Sequence, residues 1–324
     1  MLNKPRNKAS EFFKAFLPVL CIEGIQLYTS MVISFGYAFY LIGTIQAENV
    51  ESFFDNFADK IMNMNYMMFI LIAYAVISIP IFIFWYSGFK NDTPLHSGKY
   101  TYPSSPEKHI RSLSLKGYSP LLIISLPMLA LGMQYVSNYI VSVIAVISPN
   151  TIEDYADLME RAGLSTGTLS IPLVLAVVVL GPIAEELALR GVSLGYASRA
   201  LPFWAANLLQ AGLFGLMHLN LVQGLYAFAL GLVLGYVYHK CGNIIIPCIL
   251  HMLYNGISTF VGDHLFFGEE KPIFFAFILF LSLCVSYGAL MLTAWSLKGK
   301  KTARHPFFFP VSYVCWSAMP LVVS

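Results

Sequence analysis

The sequence predicts an all-α, polytopic integral membrane protein, and three observations carry that expectation. Of its 324 residues 57% are hydrophobic and only 11% are charged, with a mean hydropathy of +0.69. An ordinary soluble domain has roughly a quarter charged residues. The apolar residues also fall in runs of about 20, the length that crosses a hydrocarbon layer as a helix. Finally, the basic residues segregate to alternate connections between those runs, as cytoplasmic loops require. So few charges cannot cover a water-facing surface. A net charge of +2 without a concentrated basic face also excludes a nucleic-acid partner.

Eight spans are expected: 16–45, 62–85, 118–147, 168–189 or beyond, 203–219, 221–238, 244–261 and 273–297. The first and third exceed the minimum and can tilt or run into the interface, whereas the fifth and sixth are short. The N-terminus is basic (Lys4, Arg6, Lys8, Lys14) and leads into a run too long for a signal peptide's apolar core of about 7–15 residues. The first span therefore reads as a retained anchor. Alternating sides along eight spans leaves only Lys60, Arg161 and Lys271 of the 19 basic residues on one side. Most of the acids, in 46–61, 148–167 and 262–272, join them there. By the positive-inside rule both termini are cytoplasmic.

Between the spans, 86–117 is the largest polar loop, with Pro94, Pro103 and Pro106, and 151–161 reads as an amphipathic surface helix. The tail 306–324 is apolar but broken by Pro310 and Pro320, which places it at the interface, and it has no C-terminal CAAX signal of its own. The five cysteines are scattered without a CxxC and read as reduced, buried thiols. The chain divides into an N-terminal membrane region (1–167), a polar-bearing core (168–262) and a last span with the tail (263–324).

Ionisable side chains within a membrane are costly and mark function by default. Span one carries Glu23 and Gln26, close enough to its cytoplasmic end to be solvated or structural. Span four carries Glu185, Glu186 and Arg190. Glu186 and Arg190 are four residues apart, share a helix face and can neutralise one another. Glu185 points elsewhere with no partner on its own helix, as a general base would, although a structural ion network is the plain alternative. Span five ends in Phe214-x-x-x-His218, followed by Asn220, and span seven carries His251-x-x-x-Asn255. Each pair is expected on one helical face. If spans four and five turn near Leu201, Glu185 and His218 lie at nearly equal depth at 1.5 Å rise per residue. The depth of His251 is compatible with theirs.

These three motifs, Glu185-Glu186-x-x-x-Arg190, Phe214-x-x-x-His218 and His251-x-x-x-Asn255, resemble in order those of the CPBP family, which groups CAAX-processing proteases with Abi-type bacteriocin-processing and immunity proteins. The resemblance covers roughly 168–262. It implies a glutamate-dependent intramembrane endopeptidase of a bacterial cell membrane, acting on a membrane-associated, in some cases lipidated, peptide or protein. In that reading Glu185 with His218 activates water, and His251 and Asn255 stabilise the oxyanion. Glu186 and Arg190 hold the first carboxylate, and Phe214 supports the site. No cofactor is expected. A zinc ion on Glu185, His218 and His251 remains the chemical alternative, since His₂Glu with an open position is an adequate hydrolytic set.

Two other classes stand beside the enzyme. A non-catalytic, peptide-binding immunity protein would not need the whole motif set. A transporter would want internal repeats and broken mid-membrane helices, which the sequence does not display. Gly191-Val192-Ser193-Leu194-Gly195 matches GxSxG, but that motif works on a strand-to-helix turn, and here it continues a helix. Close helix packing explains it better, as it does Gly231 and Gly235.

Overall fold

The computed structural model describes residues 7–45, 50–61, 64–88, 120–161, 170–265 and 272–296, and among them every regular element is helical. In chain order these are α1 (Lys8–Lys14), α2 (Leu17–Thr44), α3 (Val50–Ile61), α4 (Met64–Gly88), α5 (Leu121–Ile147) and α6 (Pro149–Arg161). A composite helix, α7 (Ile171–Ala200), follows, then α8 (Phe203–Met217), α9 (Leu221–Cys241), α10 (Ile245–Leu265) and α11 (Pro272–Ser296). In lipid the backbone must satisfy its own hydrogen bonds, so long apolar runs can only be helices. Pro80 and Pro127 sit inside α4 and α5, as membrane helices tolerate.

Five helices are long and apolar enough to span: the α1–α2 stretch, α4, α5, α7 and α9. The other three expected spans fall on apolar helices whose described cores are shorter, Phe203–Met217, Ile245–Val261 and Cys284–Thr293. The chain is thus an integral multi-pass membrane protein. The expected surface helix at 151–161 is α6, which starts slightly earlier, and Tyr155 Oη lies 3.0 Å from Tyr226 Oη on α9. The acidic stretch 46–61, expected only as a connection, contains the amphipathic α3. The polar loop beyond Gly88 and the tail 306–324 lie outside the described residues. Cys21, Cys241, Cys248 and Cys284 are free thiols; Cys241 and Cys248 are buried as expected, whereas Cys21 is half-buried and Cys284 exposed, and Cys315 lies outside the described residues.

α7 lies between two apolar clusters. On one side Ile22 of α2 and Tyr74, Ala75 and Phe82 of α4 pack against Ala184, Leu187, Ala188 and Val192. On the other, Leu189 joins a cluster built from α5, α8, α9, α10 and Ala289 of α11. α7 is not the plain α-helix expected. Its backbone widens to a π-helix over Leu175–Leu180 and again over Leu187–Ser193, on either side of an α-helical turn, Gly181–Glu186. Such bulges are rare and concentrate at functional sites. The helix continues through both, so it is widened rather than broken. It ends at Ala200, and α8 starts at Phe203 after Leu201 and Pro202, which confirms the hairpin expected near Leu201.

That hairpin end carries aromatic and cationic groups of the kind found at a membrane interface. Trp85 Nε1 donates to Tyr196 Oη at 3.2 Å, Arg199 lies over the Tyr196 ring, and Lys240 lies over Tyr236, which stacks on Trp204. Glu11 of α1, buried, accepts from Lys14 at 2.9 Å and from Arg199 at 3.1 Å, tying the N-terminal helix to the end of α7. Counting back from Tyr196 at 1.5 Å per residue puts Glu185 about 16 Å below this belt, near the middle of a hydrocarbon layer about 30 Å thick.

Candidate active site

Span four supplies the carboxylates. Arg190 Nη1 donates to Glu186 Oε1 at 2.7 Å, and both side chains are fully buried. The pair expected from the i, i+4 spacing is therefore present, although Arg190 lies in the second π-helical stretch. Arg190 Nη2 donates to the Gly231 carbonyl of α9 at 3.4 Å, and the guanidinium lies 4.6 Å from the centre of the Phe214 ring. Gly231 and Gly235 serve close packing, as expected. A Cβ at Gly231 would meet Ala211 and Phe214, and one at Gly235 would strike Asn207 and Gln210.

His251 stands between the two glutamates. Its Nδ1 lies 3.0 Å from Glu186 Oε1, and its Nε2 lies 3.7 Å from Glu185 Oε2. The Glu186 carboxylate that pairs with Arg190 only accepts, so Nδ1 carries the hydrogen. One expectation changes here: the Glu186–Arg190 pair holds His251 rather than the Glu185 carboxylate. His251 also stands beside Glu185, while His218 lies within Coulombic reach of Glu185 without a hydrogen bond to it. The cause is rotational: depth along a helix follows from residue counting, but the direction a side chain faces depends on the crossing of the partner helix. Glu185 is the more open carboxylate, 22% exposed where Glu186 has no exposure.

His218 does not sit within a helix. It caps α8, which ends at Met217 rather than at Leu219, and its Nδ1 donates to the Phe214 carbonyl at 2.9 Å. That bond fixes the tautomer, since a carbonyl only accepts, and leaves Nε2 of the neutral ring bare to take a proton. Leu219 follows with φ +55°, a left-handed conformation that costs a non-glycine residue about 1–3 kcal/mol. Asn220 closes the turn: its Nδ2 donates to the His218 carbonyl at 3.0 Å, and its Oδ1 caps α9 by accepting from Gln223 N at 2.7 Å. Phe214 meets both imidazoles edge-on, with ring centres 5.0 Å from His218 and 5.5 Å from His251. It therefore packs at once against Arg190 and both histidines.

Asn255, one turn beyond His251, donates through Nδ2 to the Val177 carbonyl at 2.9 Å. One amide hydrogen is thus spent on α7. Sequence reasoning missed several neighbours. Asn207 and Gln210 are fully buried on α8; Gln210 Nε2 donates at 2.9 Å to the same Gly231 carbonyl that Arg190 uses. An Asn and a Gln three apart in an apolar run were the available signal. Glu23 is half-buried rather than solvated, and with buried Tyr74 of α4 it comes within Coulombic reach of Glu185. Gln26 is exposed.

Among the described residues no three His, Cys, Asp or Glu side chains converge as a group able to hold a metal ion. Glu185, His218 and His251 are not gathered as such a group, although each histidine keeps Nε2, the nitrogen a metal would take, outside its Nδ1 hydrogen bond. The GxSxG serine is also accounted for. Ser193 is fully buried and its Oγ donates to the Ala15 carbonyl at 2.7 Å. Ser193→Ala is expected to leave turnover within about two-fold of wild type while costing about 1 kcal/mol in stability; inactivation with an unchanged melting midpoint would reinstate it as a nucleophile.

In this multi-pass membrane protein a buried glutamate–arginine pair thus holds a histidine against a second, more open glutamate. Residues 167–257 match the family described as "Type II CAAX prenyl endopeptidase Rce1-like". A curated relative, the "Putative membrane peptidase YdiL" of Bacillus subtilis (strain 168), is 30% identical over 93 residues, 28% of this chain and 37% of that protein. No solved structure matches the chain. The stretch from α7 into α10 is thus similar to CAAX-type prenyl endopeptidases. The N-terminal helices lie outside the match, and the chain spans little more than a third of the relative's length.

Proposed function

We propose that the protein is an intramembrane endopeptidase that cleaves a membrane-associated peptide or protein, of which a prenylated CAAX-type chain is the first candidate. The observation that carries this reading is the approach of His251 Nε2 to Glu185 Oε2, 3.7 Å, backed by the buried Glu186–Arg190 pair. Glu185 takes a proton from water, assisted by the bare Nε2 of His218, and the hydroxide oxygen bonds to the scissile carbonyl carbon. Negative charge gathers on the carbonyl oxygen, where the second N–H of Asn255 and a protonated Nε2 of His251 can donate. Donors placed in advance, where charge will develop, usually contribute more to the acceleration of acyl transfer than any other single effect. The C–N bond then breaks, and the proton held by the site passes to the leaving amine.

The mechanism uses protein groups alone. Purified protein in detergent should cleave an internally quenched, farnesylated peptide with a CAAX terminus at one peptide bond. The rate should be unchanged by EDTA or 1,10-phenanthroline, with less than stoichiometric metal by elemental analysis. Loss of activity on chelation with restoration by zinc would overturn the metal-free mechanism. Tight binding of the peptide without cleavage by any preparation would favour the peptide-binding, non-catalytic class.

A further inference from the structure

We infer that Pro182 is a positioning residue, which by withholding an N–H bares the Val177 carbonyl that orients Asn255. The inference rests on the peptidase reading for its effect on turnover, but its geometry stands apart from that reading. In the first π-helical stretch of α7 the Gly181 N–H donates five residues back, to the Ala176 carbonyl. The next donor in that register would be residue 182, and proline has none. The Val177 carbonyl is thereby left without a donor from its own helix in that register. A carbonyl so placed inside a membrane bundle must find another partner.

That partner is Asn255, with Nδ2 at 2.9 Å. Because Val177 O can only accept, the carboxamide must turn its nitrogen toward α7. One N–H is consumed and the other stays available, so the orientation of the side chain is fixed without exhausting its donors. The helices meet closely at this level: a Cβ on Gly256, the next residue, would lie 3.6 Å from Val178 Cγ1. The π turn and Pro182 thus act together. The turn brings the five-residue register into play, and the proline leaves that register one hydrogen short at the position Asn255 faces.

Pro182→Ala supplies the missing N–H, which competes for Val177 O and releases Asn255. The expected result, with the quenched farnesylated peptide as probe, is a kcat lowered about 10²–10³-fold, as for loss of one oxyanion donor. KM should stay within about two-fold, and the melting midpoint should not fall, because a helix hydrogen bond has been gained. In an Asn255→Ala background the same change should lower kcat no further. Independently of activity, Asn255→Ala should lower the melting midpoint in the wild-type background and leave it unchanged beside Pro182→Ala.

Wild-type kcat in Pro182→Ala, or an additive loss in the double variant, would overturn the inference while leaving the peptidase reading intact. Wild-type kcat in Asn255→Ala would instead strike at the oxyanion assignment itself. If wild type leaves the probe uncleaved, the peptidase reading falls and the melting cycle alone decides the Pro182–Asn255 link. Pro182→Ser and Pro182→Gly restore the same N–H, so whichever variant folds carries the test. Failure of all three to fold would assign Pro182 to stability and overturn the proposal.

Discussion

Arg190→Ala is expected to yield little folded protein, and what folds should melt far below wild type. Arg190 is fully buried and has three engagements: Glu186 at 2.7 Å, the Gly231 carbonyl at 3.4 Å and the face of Phe214. Removing it leaves the Glu186 carboxylate buried with no cation beside it and only the His251 N–H as a partner, at a cost of about 3–5 kcal/mol. Total stabilities are on the order of 5–15 kcal/mol, so this is a large fraction of the whole. Arg190→Lys should not rescue fully, because a single ammonium does not reproduce the fork that reaches both Glu186 and Gly231. Replacing the pair together, Glu186→Leu with Arg190→Met, should recover folding but not turnover, since His251 Nδ1 loses its acceptor. Yield and thermal midpoint in detergent, read beside kcat, check all three. Normal folding of Arg190→Ala would mean that the pair contributes little to the bundle.

His218→Ala is expected to fold normally and lose about 10²–10⁴ in kcat, the usual contribution of a positioned acid–base group. The imidazole contributes one bond, to the Phe214 carbonyl, while Asn220 holds the turn through the His218 carbonyl and Gln223 N, so its removal should disturb the backbone little. KM for the quenched peptide should change less than about three-fold. A kcat within about two-fold of wild type would remove His218 from the chemistry and leave His251 as the working imidazole.

The helical, multi-pass architecture was legible in the sequence because lipid leaves a chain few options: span length, internal hydrogen bonding and the distribution of Lys and Arg are all one-dimensional signals. The hairpin at Leu201 and the pairing of Glu186 with Arg190 were legible for the same reason, being local. What was not legible depended on contacts between helices. Which carboxylate faces His251 depends on the rotation of α7 against α10, and no residue spacing encodes it. The first π turn of α7 lies where Pro182 and the close approach of Asn255 and Gly256 meet it, and helical periodicity averages over such a defect. Asn207 and Gln210 carry no charge to mark them, although α8 buries them completely. The burial of Glu23 is not encoded in the depth of its own span, because the groups that surround it come from α4 and α7.

Glu185 is the proposed base. The most direct measurement is single-turnover cleavage of the quenched farnesylated peptide by purified wild type and Glu185→Gln side by side, in chelator-treated buffer, with products identified by mass spectrometry. Glutamine keeps the shape and hydrogen-bonding capacity of the side chain but cannot hold the water's proton. The variant is therefore expected to express and melt like wild type while cleaving at less than about a thousandth of its rate, a loss of roughly 4 kcal/mol in transition-state stabilisation. Cleavage by Glu185→Gln at the wild-type rate and bond would contradict the account.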